Sequence, residues 1–418
     1  MHETIRRFAV DTLARVEGEG SMYLTIDKGE ITDLRFKIFE PPRFFEAFLE
    51  GRGHHEAIDI TARICGICPV AYQTAAANAM ESILGIDLDE NLRRLRRLLY
   101  LGEWIESHGL HIYLLHAPDF LGYQDGIAMA ADHPEKVTEG LTLKKIGNEL
   151  MTLVGGREIH PINVRVGGVY KAPTKAQLRA KQDDLQWALE ASERTLDWVK
   201  GFPIPDFEQD YEFVALTDPD EYAIINGRII SNRGIDIPVE EWNDVFEEQH
   251  IEWSNALHAV VKERGNYFVG PMARLALNFE QLHPRAQKAA ADVGLTNGTM
   301  NPFASILVRS IELIHACAIA LEEIDKYEEP PFAHHDVPVK AGVGHGISEA
   351  PRGILYHRYE IDENGNIVNA KIVPPTSQNQ GRIEEDLHAY VMEYLDLDDD
   401  TLQWQLEQAI RNYDPCIS

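Results

Sequence analysis

Cysteine is scarce in this sequence of 418 residues, which contains four cysteines, at positions 65, 68, 317 and 416. So few thiols in a chain of this length exclude a disulfide framework of the kind that stabilises small secreted proteins. Each cysteine therefore needs its own explanation, either as a small buried side chain or as a metal-binding or redox-active group.

Basic residues are scarce relative to acidic ones. The chain has 39 Lys+Arg against 68 Asp+Glu, and its formal net charge is −29 at pH 7. Nucleic acids and anionic membranes attract proteins through Lys and Arg side chains. The charge balance therefore argues against nucleic acid as a partner and against binding to an anionic membrane surface.

Long apolar runs are absent as well. No stretch reaches the roughly 18 consecutive apolar residues that a membrane span needs, and the first residues, MHETIRRFAV, lack the apolar core of a secretory signal. We therefore expect a cytoplasmic protein without membrane insertion. The 44% hydrophobic and 26% charged residues are typical of a globular chain with a large core.

Hydrophobic periodicity predicts an α+β fold that is mainly α. Apolar residues recur at helical spacing in three regions, about 92–113, 178–199 and 307–321. The segment PVAYQTAAANAMESIL predicts a further helix over 69–84, because Pro is favoured at the first helical position and the residues after it are good helix formers. We expect the long helices to pack as a bundle.

The strand signals lie outside this bundle. Alternating apolar residues around a DKGE turn predict a hairpin within 22–38. Two further hairpins are predicted around Asn226-Gly227 and Asn364-Gly365, since Asn-Gly between β-branched residues favours a tight turn. The expected architecture is a long helical-bundle core with peripheral β-hairpins.

We expect a single unit over residues 1–418. Its N-terminal β-hairpin region covers about 8–60, and its helical core about 61–330, with a β-hairpin insertion at about 205–240. A C-terminal hairpin and a docking tail cover about 340–418.

Cys65 and Cys68 form a CxxC pair in RICGICPVAY, directly before the helix predicted from Pro69. The N-terminal end of a helix stabilises thiolates, and thiolates bind soft metals. Three interpretations remain open: half of a zinc or iron–sulfur site, a dithiol redox centre, or two ligands of a catalytic metal. No second CxxC completes a structural zinc site, and no clear strand precedes the pair as in a thioredoxin-like protein. The spacing favours metal ligation.

The other two cysteines differ in context. Cys416 lies in NYDPCIS, where Asp-Pro forces a non-helical turn, so it is either incidental or a ligand on a docking tail. Cys317 lies in the third periodic helix and is expected to be a buried apolar residue. His108, His111 and His116 also have helical spacing; zinc binding is one interpretation, but we expect buried structural hydrogen bonds.

Taken together, these residues resemble the large subunit of nickel–iron hydrogenases along nearly the whole chain. The matching elements are Arg15-Val16-Glu17-Gly18, RFFEAFLEGR with Glu46, RICGIC, the His-rich segment Ser107 to Phe120, Ser348 to Gly353 (SEAPRG), Val373-Pro374-Pro375-Thr376 and Asp414-Pro415-Cys416. CxxC alone is a weak signal, whereas several such elements in the family's order argue against chance. The resemblance implies the hydrogenase large-subunit fold.

The resemblance also implies a nickel ion held by four cysteines, two of which bridge to an iron that carries carbon monoxide and cyanide. By position, Cys65 would be a terminal nickel ligand, Cys68 a bridging ligand, and Cys416 the terminal ligand of the last motif. That motif continues as Cys-x-x-Cys-x-x-His in the family, which places the fourth cysteine just beyond Ser418. Tyr72 stands where many members have a histidine that donates to a bridging thiolate, and a tyrosine hydroxyl can donate in the same way.

The family match assigns catalytic roles to three residues. Glu17 would accept a proton from a terminal thiolate, and Arg352 would place a permanent cation over the open side of the cavity. Asp414 would anchor this arginine or line the pocket. Pro351 and Thr376 would line the cofactor cavity, with the Thr376 hydroxyl as a donor to a cyanide ligand.

Two further positions follow from the resemblance. Glu46 would be a ligand of a magnesium ion, a hard cation that prefers oxygen ligands. Ser107 stands where many relatives have an aspartate, which removes one charge from the canopy over the metals and should change the rate only modestly.

The chain has too few cysteines for iron–sulfur clusters of its own, since each cluster normally takes four thiolates. Electrons must therefore pass through an iron–sulfur small subunit. The resemblance is strongest to the cytosolic bidirectional group, which couples H2 to NAD(P) through flavin-containing diaphorase subunits and of which some members also reduce sulfur. FAD and NAD(P) would then bind only to partner subunits, and maturation proteins and a C-terminal endopeptidase would act on this chain.

Two alternatives to an active hydrogenase subunit remain at this point. One is a metal-free or immature large subunit, since the fourth cysteine is not in the sequence. The other is a relative with the same fold, such as the quinone-site subunit of respiratory complex I, which has lost metal-binding cysteines. Cys65, Cys68 and Cys416 argue against the second alternative.

Overall fold

The computed structural model of the protein describes residues 5–39 and 43–416. Within these ranges the α-helices are α1 (Arg43–Leu49), α2 (Glu56–Thr61), α3 (Pro69–Leu84), α4 (Glu90–Leu110), α5 (Ala117–Leu121), α6 (Gly126–Ala130), α7 (Pro134–Gly155), α8 (Lys175–Arg179), α9 (Gln182–Val199), α10 (Trp242–Val245), α11 (Pro271–Asn278), α12 (Pro284–Asp292), α13 (Ser305–Lys326), α14 (Pro375–Glu393) and α15 (Asp399–Arg411). A π-helical segment, His111–His116, joins α4 to α5.

The strands form small antiparallel sheets. They are β1 (Arg6–Val10), β2 (Gly20–Asp27), β3 (Glu30–Ile38), β4 (Val164–Arg165), β5 (Gly168–Val169), β6 (Val214–Thr217), β7 (Arg228–Ser231), β8 (Asp236–Ile237), β9 (Phe246–Gln249), β10 (His258–Val261), β11 (Gly342–Ala350), β12 (Gly353–Ile361) and β13 (Ile367–Val373). The sheet orders are β1-β2-β3, β4-β5, β6-β7-β8, β10-β9 and β11-β12-β13. The prediction of a mainly α, α+β protein is confirmed.

The long helices α4, α7, α9 and α13 pack against one another in the core, and the three periodic regions of the sequence correspond to α4, α9 and α13. The fourth helix, α7, was not predicted from the sequence, because glycines form part of the surface with which it contacts α4. A Cβ on Gly147 would lie 2.6 Å from the carbonyl oxygen of Gly102 on α4. The two backbones therefore touch, and a helix that packs in this way needs fewer large apolar side chains.

The predicted helix over 69–84 is confirmed as α3, with Pro69 as its first residue and Gly85 ending it in the left-handed conformation at φ +73°. Glycine adopts this conformation without a steric penalty because it has no Cβ. Since Cys68 is the residue immediately before the helix, the local sequence fixes the CxxC pair at its N-terminal end.

The hairpin within 22–38 is confirmed as β2–β3, and the one around Asn364-Gly365 as β12–β13. Asn226-Gly227 does lie between two antiparallel strands, since β6 pairs with β7, and this part of the prediction is confirmed. The expected tight turn is wrong, because the connection spans residues 218–227. Within it, the carbonyl oxygen of Ile224 accepts the N–H of Glu349 at 2.8 Å, so a tertiary hydrogen bond replaces the expected local pairing beside the dipeptide.

One helical stretch of the described residues, 302–326, is long and apolar enough to cross a membrane by length and composition, and 89% of its apolar window is buried within the protein. Burial of this extent is typical of a core helix. After α14 and α15, the chain returns to the centre of the molecule as a short tail, in which Asp414 and Cys416 are both buried.

Candidate metal centre

The structure brings three of the four cysteines together. Cys65 and Cys68 lie in the loop between α2 and α3, and Cys416 reaches them from the C-terminal tail. The Sγ of Cys416 lies 3.3 Å from the Sγ of Cys65 and 3.5 Å from that of Cys68. All three side chains are buried. Their sulfur atoms all lie within 4.8 Å of one another, which is close enough for one metal ion to bind all three.

The loop that leads into α3 supports this cluster. The Sγ of Cys65 accepts the backbone N–H groups of Ile67 at 3.4 Å and Cys68 at 3.2 Å. Both donors lie in the loop that leads into α3, and hydrogen bonds of this kind stabilise a thiolate. The turn of the CxxC pair provides these donors, rather than the first turn of the helix.

The side chain of Glu103 on α4 binds the N-terminal end of α3, a contact that was not predicted from the sequence. Its carboxyl oxygens accept the N–H groups of Val70 at 2.6 Å and Ala71 at 3.2 Å. Burial raises the pKa of Glu103 well above its ordinary value. In the sequence, Glu103 was recognisable only as an acidic residue on the apolar side of α4. Hydrophobic periodicity does not show that its partner is the start of α3.

The three thiols differ in acidity. Burial raises the pKa of Cys65, but hydrogen bonds from the thiols of Cys416 and Cys68 outweigh this effect and lower its pKa to about 6. The hydrogen bond with Cys65 contributes most to raising the pKa of Cys416 to about 12, and the pKa of Cys68 is also raised. Of the three thiols, Cys65 is therefore the one that loses its proton most readily.

Glu17 lies beside the cluster. Its Oε2 lies 3.2 Å from the Sγ of Cys416, so the single thiol proton of Cys416 can be donated either to Glu17 or to Cys65. The backbone holds this contact, because the N–H of Glu17 donates to the carbonyl oxygen of Pro415 at 3.3 Å. Two residues before Glu17, Arg15 has a φ of +60°, an unusual conformation for a residue other than glycine.

Arg352 and Asp414 form a buried ion pair near the sulfurs. The Nε of Arg352 lies 3.1 Å from Oδ2 of Asp414, and its Nη2 lies 3.2 Å from Oδ1. Burial lowers the pKa of Arg352, whereas the negative charges of Asp414 and of the sulfurs of Cys416 and Cys68 raise it. The second effect is larger, so the pKa is raised and the guanidinium stays charged. Its Nη1 is buried without a hydrogen-bond partner among residues 5–39 and 43–416.

The tail that carries Cys416 is held by side chains from distant parts of the chain. The N–H of Cys416 donates to Oγ1 of Thr376 at 2.9 Å, and Nη1 of Arg309 donates to the carbonyl oxygen of Asn412 at 2.9 Å. The Thr376 hydroxyl proton remains able to donate to another group. Pro351 is also fixed, because its carbonyl oxygen accepts a hydrogen bond from Arg274 at 2.9 Å.

Asp119 ties this tail to the N-terminal region. Its Oδ1 accepts a hydrogen bond from Arg15 at 2.6 Å, and both of its carboxylate oxygens accept from Arg411 at 2.7 Å. Charge-assisted bidentate pairs of this kind have a defined geometry. The segment Ser107 to Phe120 contains Asp119, but no sequence pattern indicated that Arg15 and Arg411 are its partners.

The histidines and Tyr72 surround the site without joining the cysteines. Nε2 of His108 lies 3.0 Å from Oε2 of Glu312, and Nε2 of His111 lies 2.9 Å from the carbonyl oxygen of Arg411, as expected for buried structural hydrogen bonds. His116 is buried, but neither ring nitrogen has a partner among the described residues. Burial raises the pKa of Tyr72 well above its usual range, so its hydroxyl remains a donor.

Three other residues singled out from the sequence, Glu46, Ser107 and Cys317, do not belong to the cysteine cluster. Glu46 on α1 accepts the N–H of Ile372 at 2.8 Å and is not one of the three clustered ligands. Ser107 is buried, and its Oγ has no partner in the described part of the chain. Cys317 is buried in α13, 3.7 Å from Oγ of Ser192, and burial raises its pKa to about 12, as expected for an unreactive core thiol.

The donor set fits a soft transition metal. Two sulfur ligands about 2.3 Å from one metal ion lie roughly 3.3–3.8 Å apart at angles between 90° and tetrahedral. The distances from the Sγ of Cys416 to those of Cys65 and Cys68, 3.3 Å and 3.5 Å, fall in this range. The cluster is buried and lies directly before α3, so Cys65, Cys68 and Cys416 can hold such an ion with little rearrangement.

Comparison with known proteins identifies relatives over nearly the full length. The family described as nickel-dependent hydrogenase matches residues 43–142 and 263–418. Subunit alpha of sulfhydrogenase 1 from Pyrococcus furiosus is 33% identical over 414 residues, which cover 98% of this chain and 96% of that protein. The beta subunit of the NAD-reducing hydrogenase HoxS from Cupriavidus necator is 27% identical over 460 residues, covering 99% and 94% respectively.

Solved structures agree with these relatives. A crystal structure of an NAD+-reducing NiFe hydrogenase in the H2-reduced state superposes with a TM-score of 0.86 at 25% identity, covering 99% of this chain and 98% of that one. A NiFeSe hydrogenase from Dm. baculatum shares the fold, with a TM-score of 0.80 at 20% identity and 99% coverage of both chains. From its sequence, its fold and its relatives, this chain belongs to the nickel-dependent hydrogenase family, as a large subunit.

Proposed function

We propose that this subunit catalyses the reversible heterolytic cleavage of H2 to protons and electrons, with Cys65, Cys68 and Cys416 as ligands of a nickel–iron group. When bound, this group supplies the Lewis acid and the electron acceptor that the cleavage of H2 requires. The observation that carries the proposal is the buried cluster of three thiols, whose Cys416 sulfur lies 3.2 Å from a carboxylate oxygen of Glu17.

In this proposal, Cys416 and Glu17 move the proton. The Cys416 sulfur takes up the proton released in the reaction and donates it to Oε2 of Glu17, across the S–O distance of 3.2 Å. Glu17 is only half-buried, whereas the cysteines are fully enclosed. A carboxylate in this position can therefore carry the proton from the enclosed sulfur towards the protein surface.

Arg352 provides a fixed positive charge on the other side of the cluster. A guanidinium does not deprotonate in proteins, so it can stabilise developing negative charge without exchanging protons itself. Asp414 orients it through the two contacts at 3.1 Å and 3.2 Å. We propose that the unpartnered Nη1 faces the reacting molecule, that Pro351 lines the same cavity, and that the Thr376 hydroxyl donates to a cyanide on the iron.

Electrons must leave through another subunit. Three of the four cysteines form the cluster and the fourth, Cys317, is isolated in the core, so no set of four thiolates remains for an iron–sulfur cluster. We propose an iron–sulfur small subunit as the direct partner, with flavin-containing diaphorase subunits that exchange electrons with NAD(P). The relative from Cupriavidus necator is named as NAD-reducing, and those from Pyrococcus furiosus as sulfhydrogenases, which supports this coupling and adds sulfur as a second acceptor.

The remaining parts of the proposal concern assembly and location. We propose carbon monoxide and cyanide ligands on the iron, insertion of the metals by maturation proteins, processing by a C-terminal endopeptidase, and a cytoplasmic location. Glu46 would bind magnesium. Metal analysis of Glu46→Gln checks this role: the variant should lose about one magnesium ion per chain, whereas Glu50→Gln, at an exposed neighbouring position, should keep it.

The deciding experiment is a metal and infrared analysis of the complex purified without oxygen. Nickel and iron near one each per chain, bands in the carbonyl and cyanide region, and H2-dependent reduction of NAD+ or NADP+ would support the proposal. A folded complex without nickel and without these bands would instead be the metal-free subunit. Activity with an artificial dye but with neither nucleotide would contradict only the NAD(P) coupling.

A further inference from the structure

Arg274 is a fully buried arginine outside the cysteine cluster. It lies on α11 and meets two acidic side chains of other elements. Its Nε and Nη2 donate to the two carboxylate oxygens of Glu312 on α13, at 2.7 Å and 2.8 Å. Its Nη1 donates to Oε2 of Glu349 on β11 at 2.9 Å.

The two remaining N–H groups of Arg274 bind backbone. Nη1 donates to the carbonyl oxygen of Ala350 at 2.9 Å, and Nη2 to that of Pro351, also at 2.9 Å. An arginine has five N–H donors in a rigid plane, and here each one has an acceptor. Ala350 and Pro351 immediately precede Arg352, so the plane of Arg274 fixes the backbone from which the Arg352 side chain starts.

The same turn is held from two other directions. Nε1 of Trp104 donates to the carbonyl oxygen of Glu349 at 3.0 Å, and the Trp104 ring lies 4.4 Å from the guanidinium carbon of Arg274. On the opposite side, Gly270 has a φ of +113°, and a Cβ there would lie 2.6 Å from the carbonyl oxygen of Arg352. Only glycine allows this approach, so the backbone around Arg352 has little freedom to shift.

We propose that Arg274 is a positioning residue for Arg352: through the carbonyl groups of Ala350 and Pro351, it sets where the Arg352 guanidinium lies over the metal site. This inference rests on the function proposed above for Arg352. Asp414 holds only one edge of that guanidinium, and Nη1 has no partner among the described residues. The direction in which Nη1 points is therefore decided largely by the backbone turn that Arg274 holds.

The alternative role for Arg274 is purely structural, as a buried ion pair that joins α11 to α13. A double-mutant cycle distinguishes the two roles, because a residue that acts through the Arg352 guanidinium matters much less to the rate once that guanidinium has been removed. The variants are Arg274→Lys, Arg352→Lys and both together, each in the complete hydrogenase complex. A lysine keeps the positive charge in both positions but cannot make the planar set of five bonds.

We expect Arg274→Lys to lower kcat per nickel by about tenfold to 100-fold in the wild-type background, with little change in KM for H2, because a shift of about 1 Å in a catalytic group has an effect of this size. In the Arg352→Lys background the same change should lower kcat by less than about threefold. The fall in unfolding temperature should be the same in both backgrounds. Equal rate losses in the two backgrounds would overturn the proposal and leave only the structural role.

Arg96 offers a matched control. It is also buried, and its guanidinium binds both carboxylate oxygens of Glu81, at 2.7 Å and 2.8 Å, but it has no contact with the turn at 349–353. Arg96→Lys should lower the unfolding temperature and leave kcat per nickel within about twofold of wild type. If Arg274→Lys does not assemble, Trp104→Phe tests the same turn through a single lost hydrogen bond, with the same non-additivity expected in the Arg352→Lys background.

A crystal structure of Arg274→Lys tests the geometry independently of turnover. We expect the Arg352 guanidinium to move, with loss of its 3.1 Å contact to Asp414. An unmoved guanidinium would overturn the proposal even if the rate fell. If wild-type complex with full nickel does not oxidise H2, the proposed function fails, and the position of Arg352 in the variant still decides whether Arg274 places it.

Discussion

The Cys416 sulfur lies 3.2 Å from a carboxylate oxygen of Glu17, although 399 residues separate the two in the sequence. The contact pairs a buried thiol with a carboxylate that is only half-buried. Since the backbones of the two segments are also bonded, through the N–H of Glu17 and the carbonyl oxygen of Pro415, the distance is set by the fold rather than by two flexible side chains.

The first prediction concerns proton transfer at Glu17. Glu17→Gln keeps the size of the side chain but replaces the carboxylate, which can accept a proton, with an amide, which cannot. We expect full nickel and iron content and a loss of H2 oxidation of about 10²–10⁴-fold, the usual contribution of a positioned acid or base. Glu19→Gln, at an exposed position on the same segment, is the control and should match wild type. Unchanged turnover in Glu17→Gln would show that Glu17 does not carry the proton.

The second prediction concerns the docking of the C-terminal tail. Thr376→Val removes the hydroxyl that accepts the buried N–H of Cys416 at 2.9 Å. An unsatisfied buried N–H costs about 1–3 kcal/mol, so in metal-free protein alkylation of Cys416 should accelerate about tenfold or more, as followed by mass spectrometry. Thr376→Ser keeps the hydroxyl and should alkylate at nearly the wild-type rate. Equal rates for Val and Ser would contradict a role of this hydrogen bond in holding the tail.

The third prediction is a pH dependence that arises from His315 on α13. Burial lowers its pKa to about 3, and its Nδ1 accepts the N–H of His283 at 3.0 Å, which requires a neutral ring. In the unfolded chain a histidine has a pKa of about 6.5. Between these two values the unfolded state binds one more proton, so the stability due to this group falls as the pH falls.

The slope is at most about 1.4 kcal/mol per pH unit for a single group. We therefore expect the free energy of unfolding of His315→Gln to depend less on pH than that of wild type between about pH 6.5 and 3, measured by denaturant titration at each pH. His250→Gln, at an exposed position, should retain the wild-type slope. An identical slope for His315→Gln would show that His315 is not the group responsible.

The fourth prediction concerns the contact of α4 with α7. Gly147→Ala would place a Cβ 2.6 Å from the carbonyl oxygen of Gly102 and from the N–H nitrogen of Glu106, so the helices must separate. We expect a loss of about 1–3 kcal/mol in the free energy of unfolding. Gly201→Ala is the control, since its Cβ would meet its nearest neighbour at 3.6 Å, an ordinary contact. A Gly147→Ala variant as stable as wild type would mean that the helices adjust at no cost.

Local sequence signals predicted the elements that local chemistry determines. Pro69 marked the start of α3, and Asn364-Gly365 marked the turn between β12 and β13. Asn226-Gly227 carried the same turn signal and lies between the paired strands β6 and β7, but it forms no tight turn, because Ile224 before it bonds to β11. Tertiary hydrogen bonds of this kind leave no trace in a local pattern.

The same limit applies to the site. Motif order identified Cys65, Cys68 and Cys416 as candidate ligands, and the structure places them together, but their roles as ligands remain predictions. The sequence did not connect Glu103 to the start of α3 or Arg274 to the turn before Arg352, because each pairing joins two elements far apart in the chain. The sequence shows that Glu103 and Arg274 are charged residues within helices, but it does not show which groups they bind.

Asp119, which binds both Arg15 and Arg411, also bears on the order in which the protein folds. Its three charge-assisted hydrogen bonds join segments at the two ends of the described chain, and such contacts have a high entropic cost of loop closure. We therefore expect this junction to form after the helices of the core. Until it forms, we expect the cysteines of the CxxC pair to be accessible from the side that the C-terminal tail later covers.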